Sequence, residues 1–535
     1  MHKSRTRGCS RWLTVGVAAA IVTAASCGGG GGTTGSTAAA GGRSNGVLRY
    51  GYDFDAQFTG TFDIKKSTGD CDQIVTTYIY DTLVHKDVNG NLQPGLAERW
   101  QIDKPGNKVE LWIRPGVKFS DGSPLDGQAV ANGLQTNAGN DQLTDLKKIT
   151  KFGVDPKDPL HVILDYADNT GINLPYDFTQ RDGMIMSTKS ITAGTADKAP
   201  IGAGPFVLTD YQKGSKASLR PNPNYWNKAH AYKFGGIDFI KVGTGPPTVT
   251  AFEAGQLDFV RLETDGAKQL QGNSKYTVVQ QPTGAYLQFE FRIKTKSGKE
   301  TPFAKKDVRL AIEYGLDRAR INQAAQDGFG EVTDQPYPKT SQAHVAALDG
   351  YYKYDPAKAR QLLASAGYPK GFTFTMVIPG GGIANMEHQS VEIQQELKQI
   401  GITAKIQRLI PSEIATGYYI AQQGDAFAAA ELGSTFPGGS LRNNYATGEY
   451  VATWDGAERT DITDLMNQAQ SQVSVADAVT YIHQAVNIAV KEALDVPIAF
   501  MPQLNGYVKA KISGPVKAQT NICDIPDLSQ ITVNG

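Results

Sequence analysis

Residues 372–409 carry a strand–helix–strand unit: an apolar run Phe372–Ile378, a helical stretch Met386–Ile400, a stop at Gly401 and a second strand, Ile402–Leu409. A connection of this length returns the second strand parallel to the first through a right-handed crossover. This part of the chain is therefore α/β. Ile201–Trp226 supplies a different unit, a β-hairpin. Gly202, Gly204 and Pro205 break any helix, strands Phe206–Tyr211 and Ala217–Arg220 flank the turn Lys213-Gly214-Ser215, and Pro221 and Pro223 stiffen the exit toward Tyr225 and Trp226. At 535 residues the chain is too long for one core and implies two or three lobes.

The N-terminus has a basic start (Lys3, Arg5, Arg7, Arg11), a short apolar run Trp12–Val22 and then Thr23-Ala24-Ala25-Ser26-Cys27. That run is too short to span a bilayer and reads as a signal peptide over residues 1–26. Small residues directly before Cys27 resemble a bacterial lipobox, which implies cleavage before Cys27 and lipid on its thiol. Ordinary cleavage after Ala25 or Ser26 is the alternative. Residues 27–46 are rich in Gly, Ser, Thr and Ala and read as a flexible tether. The chain is expected outside the cytoplasm, anchored to the outer face of the cytoplasmic membrane by lipid on Cys27. Cys9 leaves with the signal, so Cys71 and Cys523 remain; outside the cytoplasm two such thiols pair, or stay apart as buried thiols.

Between the ends, Val47–Tyr52 reads as the first strand and residues 70–83 as a helix packed on it. Asn89-Gly90 marks a hairpin turn. Asp121-Gly122 with Pro124 marks a tight turn, in which Asp121 is a turn former rather than a catalyst. Lys305–Ala319 reads as one helix, with Val308, Ala311, Ile312 and Leu316 inward and Arg309 and Glu313 outside. Asp355 caps a further helix that Pro356 opens and Gly367 closes. Helices over Asp461–Gln472 and Val475–Ala493 finish this region, the second with an apolar stripe that belongs to a core. Val496–Phe500 then leads the chain back toward the first lobe.

The chemistry that is missing narrows the function. The 53 basic and 53 acidic side chains cancel, and loss of the leader leaves the remainder mildly acidic, so no nucleic-acid footprint is present. The histidines are scattered, with no paired metal-ligand spacing. Gly298-Lys299 is followed by Glu300 and makes no phosphate-binding loop, and no Gly-x-Ser-x-Gly elbow occurs. No cofactor is called for, and no enzyme activity is expected.

Several motifs in order resemble one family. They are Pro94-x-Leu96-Ala97-x-x-Trp100, Val117-x-Phe119-x-Asp121-Gly122-x-Pro124, Gly202-x-Gly204-Pro205-Phe206 with Asn222-x-x-Tyr225-Trp226, Ala251-x-x-x-Gly255-x-x-Asp258, and Asp307-Val308-Arg309 with Leu316-Asp317-Arg318. Together they are similar to the large extracytoplasmic solute-binding proteins, family 5, of peptide and nickel ABC importers. The resemblance covers about Val47 to Pro502. It implies an α/β, periplasmic-binding-protein-like fold of class II (cluster C), with two large α/β lobes, a hinge and cleft, and a smaller excursion lobe. It divides the chain into lobe I (47–91, 201–284 and 497–535), the smaller lobe II (92–200) and lobe III (285–496). It also makes Cys71 and Cys523 neighbours within a discontinuous lobe I.

The resemblance further implies a monomer that captures a peptide or similar small polar solute and delivers it to an ABC permease and its ATPase. A non-peptide solute (an oligosaccharide or metal chelate), a sensor without transport and a secreted hydrolase are the alternatives. Peptide-binding members hold the ligand's amine on an Asp near a Trp-x-x-Asp motif. Here the matching stretch is Ala429–Pro437, where small or neutral residues, Gly433 and Ser434 among them, fill those places. Glu431 lies nearby, at another offset, and is the candidate to substitute for that acid; the alternative is that no acid takes the role. The candidate cleft walls are Asp53, Phe54, Phe58, Tyr286, Glu431, Phe436, Arg442 and Trp454, with Arg442 either meeting a ligand carboxylate or covering the lobe surface.

Overall fold

In the strand Val47–Tyr52, Leu48, Tyr50 and Tyr52 are buried, and Tyr50 packs between Phe239 and Phe259 of the flanking strands, with ring centroids 5.2 and 4.7 Å away. This aromatic row forms the centre of the first sheet. The computed structural model describes residues 44–52, 60–67, 73–243, 245–281, 283–380, 384–446, 459–517 and 525–534. Seven strands make the first sheet, in the order Tyr276–Gln281, Gln503–Val508, Phe259–Leu262, Val47–Tyr52, Gly236–Lys241, Lys216–Pro221 and Phe206–Gln212. Val47–Tyr52 runs parallel to both neighbours, and the hairpin forms one antiparallel edge.

The second sheet has six strands, in the order Glu331–Val332, Val496–Phe500, Tyr286–Phe291, Ala426–Glu431, Thr373–Pro379 and Thr403–Leu409. Thr373–Pro379 and Thr403–Leu409 pair in parallel across the helix Ala384–Gln399, as the strand–helix–strand pattern requires. A smaller antiparallel sheet of four strands, Ala97–Asp103, Lys108–Ile113, Asp158–Tyr166 and Ile149–Asp155, packs against the helix Gly127–Asn137. Two large α/β lobes and a smaller third one result.

The glycine-rich entry to the hairpin is a close backbone approach. A Cβ on Gly202 would lie 2.2 Å from the Ile79 carbonyl oxygen, and one on Gly204 would lie 2.6 Å from it. Asn222 closes the unit, its Nδ2 donating to the Gly204 carbonyl and its backbone N–H to that of Pro205, both at 2.8 Å. Trp226 Nε1 then donates to Asp81 Oδ2 at 2.7 Å. The motif therefore works as a clamp within the first lobe. Asp121 accepts from the Ser123 backbone N–H and hydroxyl, as a turn former does.

Several local expectations are corrected. Within the expected helix 70–83, the described part has only the 3-10 turn Thr76–Tyr78, because Ile74, Val75, Thr76 and Thr77 are β-branched and disfavour a helix. The expected helix 305–319 is two, Lys306–Gly315 and Arg318–Gln326; Leu316 is extended, and Asp317 caps the second by accepting from the Arg320 N–H. Arg309 and Glu313 are buried, not outside: Arg309 donates to the carbonyls of Phe303, Glu492 and Ala493, and Glu313 pairs with buried Arg318. Val496–Phe500 lies inside the second sheet, so the return to the first sheet comes after Phe500 rather than at residue 497. Ala426–Glu431 is a strand that its alanines hide, since they favour a helix in isolation and only their central place in the sheet overrides this.

Candidate functional site

The chain crosses between the two large sheets twice, at residues 281–286 and 500–503. The crossings are pinned together. Met501 donates its N–H to the Ala285 carbonyl at 2.8 Å, and Thr283 Oγ1 donates to the Met501 carbonyl at 2.5 Å while accepting from the Ala285 N–H at 3.1 Å. Beside them the strand Ala426–Glu431 ends with Glu431 opposite Tyr286. The loop Leu432–Pro437 then folds back over the crossing. Gly433 has φ +81° and lies so near Gly284 that an added Cβ would come 3.2 Å from its carbonyl oxygen. Ser434 Oγ fixes the loop by donating to the Phe436 carbonyl and accepting from the Ser440 N–H.

A cavity of about 110 Å³ opens at this point, with Thr283, Gly284, Tyr337, Ser434, Phe436 and Tyr176 in its wall. Tyr176 comes from the smaller lobe and meets Phe436 edge-on at 5.7 Å. Lys86 is shared with an adjoining cavity of about 540 Å³, whose wall includes Gln73, Tyr80, Asp81, His85 and Tyr225. The larger of the two falls within the size range of sites that hold small ligands, about 300–1,000 Å³. The walls combine aromatic rings with hydroxyl and amide groups, which suits a small solute held largely out of water.

Acids lie behind the loop. Burial, reinforced by the charge of Asp495, pushes the Glu431 carboxyl up to about 7, against the Gly433 N–H and the Ser440 hydroxyl that bond it. Burial likewise lifts Asp495 to about 6, against a hydrogen bond from Tyr445. Tyr286 is fully buried, and its hydroxyl has no hydrogen-bond partner among the described residues. In the larger cavity burial works against charge on His85, but Asp81, at 2.7 Å from Nε2, outweighs it and raises the imidazole above its ordinary value.

Of the residues singled out in the sequence, Phe436 lines the cavity and Glu431 lies at the strand end leading into it. Tyr286 sits in the sheet beneath, edge-on to Phe500. Arg442 lies on the helix Gly439–Tyr445, where its Nη1 donates to Asn467 Oδ1 and Gln470 Oε1, both at 2.8 Å, and it is not in the cavity wall. Asp53, Phe54, Phe58, Trp454, Cys27, Cys71 and Cys523 lie outside the described residues. Sequence reasoning missed Tyr176, Thr283, Gly284, Tyr337 and Lys86. Only the turn-like Thr283-Gly284 before an alternating strand hinted at the crossing. Among the described residues, no group of His, Cys, Asp and Glu is placed to hold a metal, and no helix is long and apolar enough to cross a membrane.

Comparison with known proteins agrees with this architecture. The model of the bacterial extracellular solute-binding proteins, family 5 Middle, matches residues 91–450, more than half of the chain. Glutathione-binding protein GsiB of Pectobacterium atrosepticum is 24% identical over 347 residues, 62% of this chain and 64% of that protein, so the chain spans just under two-thirds of that relative. Heme-binding protein A of Haemophilus influenzae is 24% identical over 493 residues, 81% of this chain and 84% of that protein. The solved ABC transporter substrate binding protein CtaP of Listeria monocytogenes superposes with a TM-score of 0.77 at 16% identity, over 92% of this chain and 100% of that one. With the motifs, the three sheets and the family model in agreement, the chain belongs to the bacterial extracellular solute-binding proteins of family 5.

Proposed function

We propose that this protein is the lipid-anchored substrate-binding component of an ABC importer. It takes a peptide or similar small polar solute into the cavity at the crossing and delivers it to the membrane permease. One observation carries the reading: the cavity has walls from both large lobes and the small one, beside two pinned crossings that can act as a hinge. The relatives are binding proteins for glutathione and heme, which is why a binding rather than a catalytic role is favoured. Cys27, behind a signal-like leader, supplies the anchor in this reading.

The loop lacks the acid that peptide-binding members place against a ligand amine. Glu431 is a poor substitute, because its carboxyl is already bonded by Gly433 and Ser440 and is only partly ionised near neutral pH. A buried ammonium without a charged partner costs several kcal/mol. The ligand is therefore held mainly through neutral groups rather than a free amine. Mass spectrometry of the solute that co-purifies identifies it. Calorimetry with tri-alanine and N-acetyl-tri-alanine then tests the amine: a change below about tenfold, or 1.4 kcal/mol, is expected. A hundredfold loss on acetylation would show that Glu431 holds the amine after all. Turnover of peptides or esters by the purified protein would instead favour a hydrolase.

A further inference from the structure

The smaller lobe meets the loop over the cavity through a buried carboxyl. Asp177, in the short helix Leu174–Asp177, is 8% exposed. Its Oδ1 accepts from Thr435 Oγ1 at 2.6 Å, and Thr435 belongs to the loop Leu432–Pro437 of the other lobe. Its Oδ2 is buried and has no donor among the described residues. The same seam holds the Tyr176–Phe436 ring contact and a bond from Gln470 Nε2 to Asn173 Oδ1 at 3.4 Å. A buried carboxylate with one oxygen unpaired is costly, and a neutral acid is not.

The surroundings show where the proton goes. Asp145, beside Asp177 and in hydrogen-bonding contact with it, already takes three donors, which leaves room for one more: Tyr166 Oη donates to its Oδ1 at 2.9 Å, Lys148 Nζ lies 2.9 Å from that oxygen, and Asn173 Nδ2 lies 3.4 Å from Oδ2. With donors already on both Asp145 oxygens, a hydrogen bond between the two carboxyls is made by a proton on Asp177. The other charged groups around the pair are Asp182 and, beyond Lys148, Arg442. We propose that Asp177 latches the smaller lobe to the loop over the cavity as a neutral acid, donating its proton to Asp145 and accepting the Thr435 hydroxyl, and that losing this proton releases the loop. Burial first, then Asp145 and Asp182, hold the Asp177 carboxyl well above the usual carboxylate range against the Thr435 hydrogen bond, so it is burial at this seam that an ionised Asp177 escapes when the loop opens.

This makes access to the cavity pH-dependent; calling that access ligand entry rests on the proposed function, but the latch itself does not. The test therefore uses the full-length protein without ligand. Hydrogen–deuterium exchange of amides 433–446 is followed from pH 5 to 9, with the intrinsic pH dependence of exchange removed. For the parent protein, opening is expected to grow with pH by up to about tenfold per unit, the limit for one released proton. Asp177→Asn should remove the dependence and keep the loop protected. Asp145→Asn offers an amide donor to an ionised Asp177 and should also remove it, which guards against one variant folding poorly; melting curves check both. Thr435→Val should open the loop at every pH. A parent loop whose corrected exchange is flat with pH would overturn the latch, as would either Asn variant keeping the parent's slope. Failure of the capture reading would appear only in ligand binding and would leave these curves unchanged.

Discussion

Arg49, on the first strand, and Asp258, which ends the Ala-x-x-x-Gly-x-x-Asp motif, form a two-pronged ion pair. Nε donates to Oδ2 at 2.9 Å and Nη2 to Oδ1 at 2.6 Å, while the Arg49 backbone N–H also donates to Oδ2 at 3.0 Å. Nη1 reaches the carbonyl of Gly255 in the same motif. The motif thus locks the strand Phe259–Leu262 against the centre of the first sheet. Asp258 is almost fully buried but Arg49 is partly exposed, so the guanidinium can regain water when its partner is lost. Asp258→Ala is expected to cost about 2 kcal/mol in urea unfolding, chiefly from the backbone N–H left without its acceptor. A loss below about 0.5 kcal/mol would assign the motif to something other than packing.

Stability should peak on the acidic side of neutrality. Burial lifts Glu290 to about 8, Glu431 to about 7 and Asp495 to about 6, all above their unfolded values. In this range the folded state binds more protons than the unfolded one, so their contribution is full below about pH 4 and fades as pH rises through 6 to 8. Asp87, Asp121 and Asp238 are shifted the other way by hydrogen bonds and cations, and their contribution is lost as pH falls below the ordinary carboxylate range. Urea midpoints measured from pH 4 to 9 should be highest near pH 5 to 6, and Glu290→Gln should flatten the alkaline limb. A midpoint climbing steadily to pH 8 would contradict this.

Lipidation at Cys27 predicts a simple fractionation result. Two or more acyl chains hold a protein stably on a membrane, whereas one does so only marginally. Cys27→Ser should appear in the medium or accumulate as uncleaved precursor. Mature Cys27→Ser protein that still sediments with membranes would refute the anchor.

A disulfide between Cys71 and Cys523 is the fourth expectation. The described residues flanking the two cysteines are neighbours: Tyr78 Oη donates to the Pro526 carbonyl at 3.2 Å, and Gln73 and Asp527 line the same cavity. Closing so long a loop is nominally worth about 5 kcal/mol, usually less in practice. Non-reducing peptide mapping should recover one cross-linked pair; two alkylated thiols would end the idea.

The local patterns that survived into the structure are those whose physics is local. The hairpin at Phe206–Gln212, the parallel unit around Ala384–Gln399, the Asp121 turn and the Asp355 cap each follow from residues a few positions apart, and each formed as read. What failed was decided by distant neighbours. Arg309 and Glu313 look like a solvated helix face until carbonyls near residue 492 and Arg318 supply partners that make burial tolerable. Ala426–Glu431 is a strand only because Tyr286–Phe291 and Thr373–Pro379 lie on either side. The cavity is the extreme case. Tyr176, Thr283, Tyr337 and Phe436 are far apart in the chain, and no spacing rule links them. They meet because the chain crosses twice between the large sheets and the small lobe folds back onto the loop, so the sequence determined the lobes while tertiary packing alone determined the site.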